Sequence, residues 1–380
     1  MRVAVNALSA RRGGIVTYTR NLMKSFREEG INAVFALPLD SPLQNEDVES
    51  ICLPIGSMAP MARAGWEQTF WRNTVSRLKP DILYSSANFG LIRSPVPQLL
   101  LVREGGLFDP VYLAKIAPVL GARSVIERML RRRLIISSAR SSNMVLTPTD
   151  AMADLLQDWA PDLIGKVQTN SYGTRLDHFA RVRKRREWRE DGVLRILLVS
   201  AYYSHKQPGL VSEAVQRLNE RGIKTQFTLT MDFEQINDAP GGSKDAFLLR
   251  RGEGRGEVTM LGHVDYDDLP ELYAKNDLFV TPSLSETFGH PLIEAMASGT
   301  LTIASDTPVH REVCQDAAAY FSGNSANELV EVIQALNMEP RRREAILARS
   351  RDIGKRNYSW DGHVKRLLEK FEMVAAGPTC

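Results

Sequence analysis

Short apolar runs rich in Leu and β-branched residues alternate with longer amphipathic stretches along this chain of 380 residues. Arg2–Asn6 reads as a strand. Across residues 14–29, Val16, Leu22, Met23 and Phe26 recur at helical spacing. Further strands are predicted at residues 33–37, 81–84, 98–102 and Met144–Thr147, with a helix after Thr149, whose hydroxyl suits an N-cap. The alternation stops at RVRKRREWREDG, residues 181–192, which has no apolar face and reads as an interdomain linker. It resumes with strands at residues 194–200, 225–231, 258–261, 277–281 and 301–304, and with helices at residues 209–219, 267–274, 291–297 and 327–336. Residues 234–244, which include Ala239-Pro-Gly-Gly, read as an exposed loop, and a last helix near residues 360–373 lies beyond the second sheet.

Strand–helix alternation builds parallel sheets with crossover helices. The fold class predicted is therefore α/β: two Rossmann-like, doubly wound domains in series, residues 1–182 and 193–357. Residues 358–380 form a C-terminal helix directed back to the first domain. In such sheets ligands sit outside the carboxyl ends of the strands, here facing an interdomain cleft.

Composition narrows the class. Hydrophobic residues make up 43% and charged residues 24%, which argues against disorder. No apolar run approaches the roughly 18–20 residues of a membrane-spanning helix. The opening MRVAVNALSARRGG lacks the basic-then-apolar order of a signal peptide, so a cytoplasmic location is expected. Cys52, Cys314 and Cys380 share no metal or redox spacing and read as reduced thiols. The net charge of +3 conceals an asymmetry: residues 1–190 hold 27 Lys and Arg against 18 Asp and Glu, the remainder 21 against 27. A basic half points to an anionic partner, although the run Arg181-Val-Arg-Lys-Arg-Arg needs none if it is a solvated linker. That run lacks aromatic interleaving, and no nucleic-acid partner is expected.

Residues 281–300, TPSLSETFGHPLIEAMASGT, carry the candidate chemistry. An apolar strand ends at Thr281-Pro282, a polar loop follows, and a helix begins with Pro291 at or near its first position and stops at Gly299. A loop feeding a helix N-terminus offers free N–H groups and the positive end of the helix dipole to a diphosphate, and Gly289 permits close approach. Glu286 and Glu294 are suited to accept hydroxyl hydrogen bonds from a sugar or ribose; spacing alone equally allows two surface acids.

The segment from Glu286 to Glu294 resembles the E-x7-E signature of the retaining glycosyltransferase family 4, of GT-B fold. The surrounding ETFGHPLIEAMASG, the downstream Asp306-Thr-Pro-Val-His-Arg-Glu-Val, and LLVSAYYSHK, MLGHVDYDDLPELYAKNDLFVTPS and YSW are also similar to that family. The resemblance implies that Glu294 binds ribose hydroxyls, that the Phe288–Gly289 backbone binds the diphosphate, that Thr287 and His290 beside it belong to the donor site, and that Glu286 contacts the transferred sugar. It implies that Lys206 pairs with the donor phosphates, that Gly262 and His263 flank the base, and that Gly13 and Gly14 form a glycine-rich loop near the phosphates and acceptor. The catalytic residues it implies are Glu286 and Lys206.

Two departures stand out. Relatives often carry an arginine where this chain has Ala201, so Tyr202, Tyr203, Ser204 or His205 would have to share phosphate neutralisation. Many also carry a histidine where this chain reads Val102-Arg103-Glu104-Gly105-Gly106, so no general base is assigned there. Arg103 and Glu104 either face the acceptor or serve loop structure.

The implied activity is transfer of a hexosyl group, with retention, from a UDP- or GDP-sugar to a hydroxyl of a glycan or polyprenyl-diphosphate-linked acceptor in bacterial polysaccharide or lipopolysaccharide synthesis. No cofactor or metal is expected: Asp265-Tyr-Asp267-Asp268 formally contains a D-x-D metal motif, but it precedes the next helix, and N-cap and first-turn acids explain it better. Alternatives of the same fold are a sugar-nucleotide epimerase and a non-catalytic nucleotide-sugar-binding protein. Arg123, Arg128, Arg131, Arg132 and Arg133 interleave with Val125, Ile126, Met129 and Leu130, and residues 58–71 hold Met61, Trp66, Phe70 and Trp71. Such stretches suit either peripheral attachment to the anionic inner face of the plasma membrane or internal packing with solvated arginines outside.

Overall fold

A computed structural model describes residues 1–377 apart from 12, 13, 56, 57, 59 and 183. The chain forms two compact units. The first comprises Met1–Phe108, Glu127–Ser171 and Asp361–Cys380. Its seven strands are β1 (Arg2–Asn6), β2 (Asn32–Pro38), β3 (Ser50–Leu53), β4 (Ile82–Ser85), β5 (Gln98–Leu101), β6 (Met144–Thr147) and β7 (Val167–Thr169). All pair in parallel, in the order β3-β2-β1-β4-β5-β6-β7. The central strands read as continuous apolar runs because helices cover both faces of a parallel sheet. Helix Gly14–Glu28 buries Val16, Leu22, Met23 and Phe26. Residues 361–377 belong to the same unit: Phe371 meets Phe26 edge-on at 6.2 Å, and His363 Nε2 lies 3.2 Å from the Tyr18 hydroxyl. A fully buried Phe contributes about 1.5–3 kcal/mol, so this contact is a substantial clamp.

The second unit comprises Asp109–Ile126 and Tyr172–Trp360. Its six parallel strands are β8 (Leu194–Leu198), β9 (Thr225–Leu229), β10 (Val258–Met260), β11 (Leu278–Thr281), β12 (Leu301–Ser305) and β13 (Ala319–Phe321), in the order β10-β9-β8-β11-β12-β13. Both sheets reverse their strand sequence once, between β1 and β4 and between β8 and β11. The carboxyl ends at such a reversal open a crevice.

Several expectations need adjustment. Residues 181–192 do not float as a linker. The Arg186 guanidinium, 5% exposed, bonds the fully buried Asp277 carboxylate at 3.2 Å, and Asp277 also accepts from the backbone N–H groups of Arg189 and Arg195. Ion pairs anchor this stretch, and ion pairs leave no periodic trace. The loop expected at 234–244 begins as helix Phe233–Asn237, capped by Asp232, which accepts from the Gln235 N–H at 2.7 Å. Residues 109–126 join the second unit because Tyr112, Ile116 and Ala117 cluster with Leu284.

Candidate active site

In the second unit the crevice lies between the loops after β8 and β11. Strand β11 is fully buried and runs into Pro282. Helix His290–Ser298 follows, with Pro291 in its first turn, left-handed Gly289 at its N-cap (φ 84°) and left-handed Gly299 at its C-cap. The left-handed backbone calls for glycine, and a Cβ there would press on the tip of the Leu292 side chain, 2.9 Å from its Cδ1. The N-cap supplies no side-chain hydrogen bond; Pro291 has no N–H and the Leu292 N–H donates to the Gly289 carbonyl at 2.9 Å, so backbone donation to a ligand falls to the turn before Pro291, at the positive end of the helix dipole.

Lys206 ends the short turn Ser204–Lys206 after β8 and donates to the Glu286 carboxylate from the loop after β11. Both side chains are about 15% exposed, at 15% and 14%. Burial opposes the charged form of Glu286, but the Lys206 ammonium, with its hydrogen bond, outweighs it and holds the carboxyl down at about 2. Lys206, Glu286, Gly289, Pro291 and His310 line one pocket.

Two residues outside the predicted set hold this geometry. Gln207 takes the left-handed conformation (φ 45°), and its amide donates to the carbonyls of Pro282 and Gly323 at 2.8 and 2.9 Å. Ser305, at the end of β12, donates its hydroxyl to the Ser283 carbonyl. Neither belongs to a motif with a local signal; a polar residue just before Pro208 was the only trace of Gln207.

Glu294 is 7% exposed and accepts from the Tyr273 hydroxyl at 3.0 Å. Burial raises its carboxyl to about 7, against the smaller lowering effect of that hydrogen bond. Neither glutamate is an ordinary surface acid. Phe288, 2% exposed, packs its ring against Tyr172 at 5.3 Å, and His290 stacks on the same Tyr172 at 5.2 Å, so both rings shape the turn and Phe288 offers a ligand only its backbone. Thr287 is half-buried beside them.

Gly262 (φ 69°) and His263 follow β10, which is separated from β8 by β9. His263 is exposed and lies 3.6 Å from Asp265. Asp268 occupies the N-cap of helix Leu269–Ala274 without a side-chain cap bond, contrary to the capping role expected for this acidic run. Among the described residues no three His, Cys, Asp or Glu side chains converge to hold a metal ion.

Of the residues offered as substitutes for the missing arginine, two are committed elsewhere. The Tyr202 hydroxyl donates to Asp245 at 2.9 Å and Ser204 donates to the Pro240 carbonyl at 2.7 Å. His205 stacks with exposed Tyr203.

In the first unit Gly13 lies outside the described residues. Gly14 opens its helix with Arg103 Nη2 3.9 Å from where a Cβ would sit. Arg103 donates its backbone N–H to Asn88 at 2.7 Å, and Glu104 accepts from Arg131 at 2.7 Å. Within the arginine-rich stretch Arg131 is thus paired and Arg132 lies 3.5 Å over the Trp159 ring, while Met129 and Leu130 are exposed. Within residues 58–71, Trp71 is fully buried and Phe70 exposed; the Met61 side chain lies outside the described residues. Among the described residues no helix is long and apolar enough to cross a membrane.

Residues 181–352 match the family model described as glycosyl transferases group 1. O-antigen chain mannosyltransferase B of Escherichia coli is 30% identical over 129 residues, which is 33% of this chain and 33% of that protein, so the chain spans about a third of this curated relative. Sucrose-phosphate synthase from Thermosynechococcus elongatus has a TM-score of 0.79 over 100% of both chains at 16% identity. The Anabaena protein HepE, solved in complex with UDP-glucose, has a TM-score of 0.73 at 14% identity over 98% of this chain and 100% of its own. At such identities the structural likeness is one of fold, and that fold is GT-B: two Rossmann-like units. Sequence and fold agree on the stretch that carries Lys206, Glu286 and Glu294: residues 181–352 are similar to the glycosyl transferases of group 1, within a chain of GT-B fold.

Proposed function

We propose that this chain is a retaining glycosyltransferase. It moves a hexosyl group from a UDP- or GDP-sugar to a hydroxyl of a glycan or lipid-linked glycan, in lipopolysaccharide or related surface-polysaccharide synthesis. The observation that carries the reading is the Lys206–Glu286 pair beside the uncapped N-terminus of helix His290–Ser298.

The geometry supports a division of labour. Negative charge develops on the leaving diphosphate as the glycosidic bond breaks. The Lys206 ammonium, the backbone turn at Gly289 and the positive end of the helix dipole are fixed to receive it without reorganisation. Glu286, already ionised, accepts sugar hydroxyl hydrogen bonds and stabilises positive charge at the sugar. Because its carboxylate is engaged by Lys206, attack of the acceptor on the face the diphosphate leaves is favoured over a covalent glycosyl-enzyme. Glu294 accepts the ribose hydroxyls. These residues supply the stabilisation without a metal ion. In the first unit Arg103 and Glu104 serve the acceptor and Gly14 the donor phosphates. The O-antigen mannosyltransferase relative places mannose first among the sugars to test, and the HepE complex makes UDP-glucose the natural comparator. Exposed Phe70, Met129 and Leu130 in a basic half support peripheral contact with an anionic membrane. Pelleting with anionic but not neutral vesicles at low salt is the expected sign of that contact.

The decisive experiment is a thermal-shift panel of UDP, GDP, ADP and their common sugars, with and without EDTA. One nucleotide family should raise the melting temperature, unaffected by EDTA. Absence of any shift overturns the donor-site reading.

A further inference from the structure

His310 is fully buried in helix Pro308–Cys314, yet it lines the pocket that holds Lys206 and Glu286. Its Nδ1 lies 2.8 Å from the Ser305 carbonyl and 3.1 Å from the Ser305 hydroxyl. A carbonyl can only accept, and the Ser305 hydroxyl already donates to Ser283, so Nδ1 carries the hydrogen. Burial lowers the affinity of the ring for a second proton, against the opposing pull of Glu286. Nε2 is then a bare lone pair, and among the described residues it has no hydrogen-bond partner.

We propose that His310 is a specificity-determining residue of the donor site: its Nε2 accepts a hydrogen bond from a hydroxyl of the sugar being transferred, in a ring orientation set by Ser305. The inference rests on the glycosyltransferase reading above. A lone pair repels phosphate oxygens and attracts a hydroxyl, so His310 reads the sugar and not the diphosphate. With the Glu286 carboxylate it gives the pocket two acceptors around one cation, a set matched to a polyhydroxylated ring. Sequence spacing gave no hint of this, because His310 reaches the pocket from the end of the next strand along the sheet.

The test compares His310→Asn with His310→Gln by calorimetry. Asn retains an amide N–H for the Ser305 carbonyl and removes the pocket acceptor; Gln places an amide near the Nε2 position. Binding of the free nucleoside diphosphate should stay within about twofold of the native protein in both. Affinity for the nucleoside diphosphate sugar should fall about tenfold in His310→Asn and less in His310→Gln. Donors deoxygenated at single positions extend the test: one should bind the native protein about tenfold more weakly than the intact sugar nucleotide, and this difference should vanish in the variant. Equal losses for nucleotide and sugar nucleotide would mark His310 as merely structural, and no loss for either would also overturn the assignment. If the native chain binds no nucleotide or sugar nucleotide at all, the donor-site reading falls and takes this inference with it. Should His310→Asn fail to fold, the deoxy-donor comparison between the native protein and His310→Gln decides.

Discussion

The two units share a strand order around their reversal points, yet their carboxyl-end chemistry differs. In the first unit the Glu104–Arg131 pair is 27% and 30% exposed, and Arg103 is held through its backbone. In the second, the Lys206–Glu286 pair is half as exposed, next to a buried histidine and an uncapped helix. Topology puts a crevice in both places. Burial decides which crevice has strong electrostatics, since charges removed from water interact far more strongly.

Breaking the second-unit pair should have the largest effect. Lys206→Met should lower kcat about 10²–10³-fold. It should also lower the melting temperature, because Glu286 is left buried without the cation that offsets its burial. Adding Glu286→Gln should recover the melting temperature without recovering activity. Transfer within tenfold of native by Lys206→Met would refute the assigned role.

Next come the glycines. Gly289→Ala should cost about 1–2 kcal/mol in denaturant unfolding, because an L-residue resists the left-handed region. Gly14→Ala, in an ordinary helical position with room for a Cβ, should cost nothing measurable. Equal costs would show that the two loops are not differently constrained.

Glu294 sharpens the comparison through pH. Its carboxyl titrates at about 7 in the folded chain against an ordinary value of 4.5. Between those values the folded chain retains a proton that the unfolded chain has lost. Stability therefore falls as pH rises through this window, and Glu294→Gln should lack that slope. Donor affinity runs the other way, because ribose hydroxyls need the carboxylate. It should be about tenfold weaker near pH 6 than near pH 8, and flat in Glu294→Gln. A flat native profile would remove Glu294 from the donor site.

The smallest effect is expected in the first unit. Glu104→Gln should change stability by about 0–1 kcal/mol, as for a partly exposed pair. Any kinetic change should appear in the KM for acceptor, with donor affinity unaltered.

Much of the fold was legible because strand–helix alternation is a local property. The helix at 290–298 announced itself through Pro291 and Gly299, and Glu286, Glu294 and Lys206 through the family text around them. Strands β3, β7 and β13, of three or four residues, are too short to show a period. Helix Pro340–Asn357 is dominated by charged residues and shows no clear apolar period in the sequence. The second-unit membership of residues 109–126 rests on Leu284, far along the chain.

The sequence by itself determined two α/β units, the direction of their strands and a polar turn placed before a helix, because hydrophobic period and turn chemistry are written residue by residue. Only the tertiary structure decided that Lys206 holds the Glu286 carboxyl down while burial raises that of Glu294 to about 7, that Tyr202 and Ser204 are spent on Asp245 and Pro240, and that His310 faces the same pocket as Lys206. Each of those properties depends on burial and on partners tens to hundreds of residues away, and neither is encoded in any local stretch of chain.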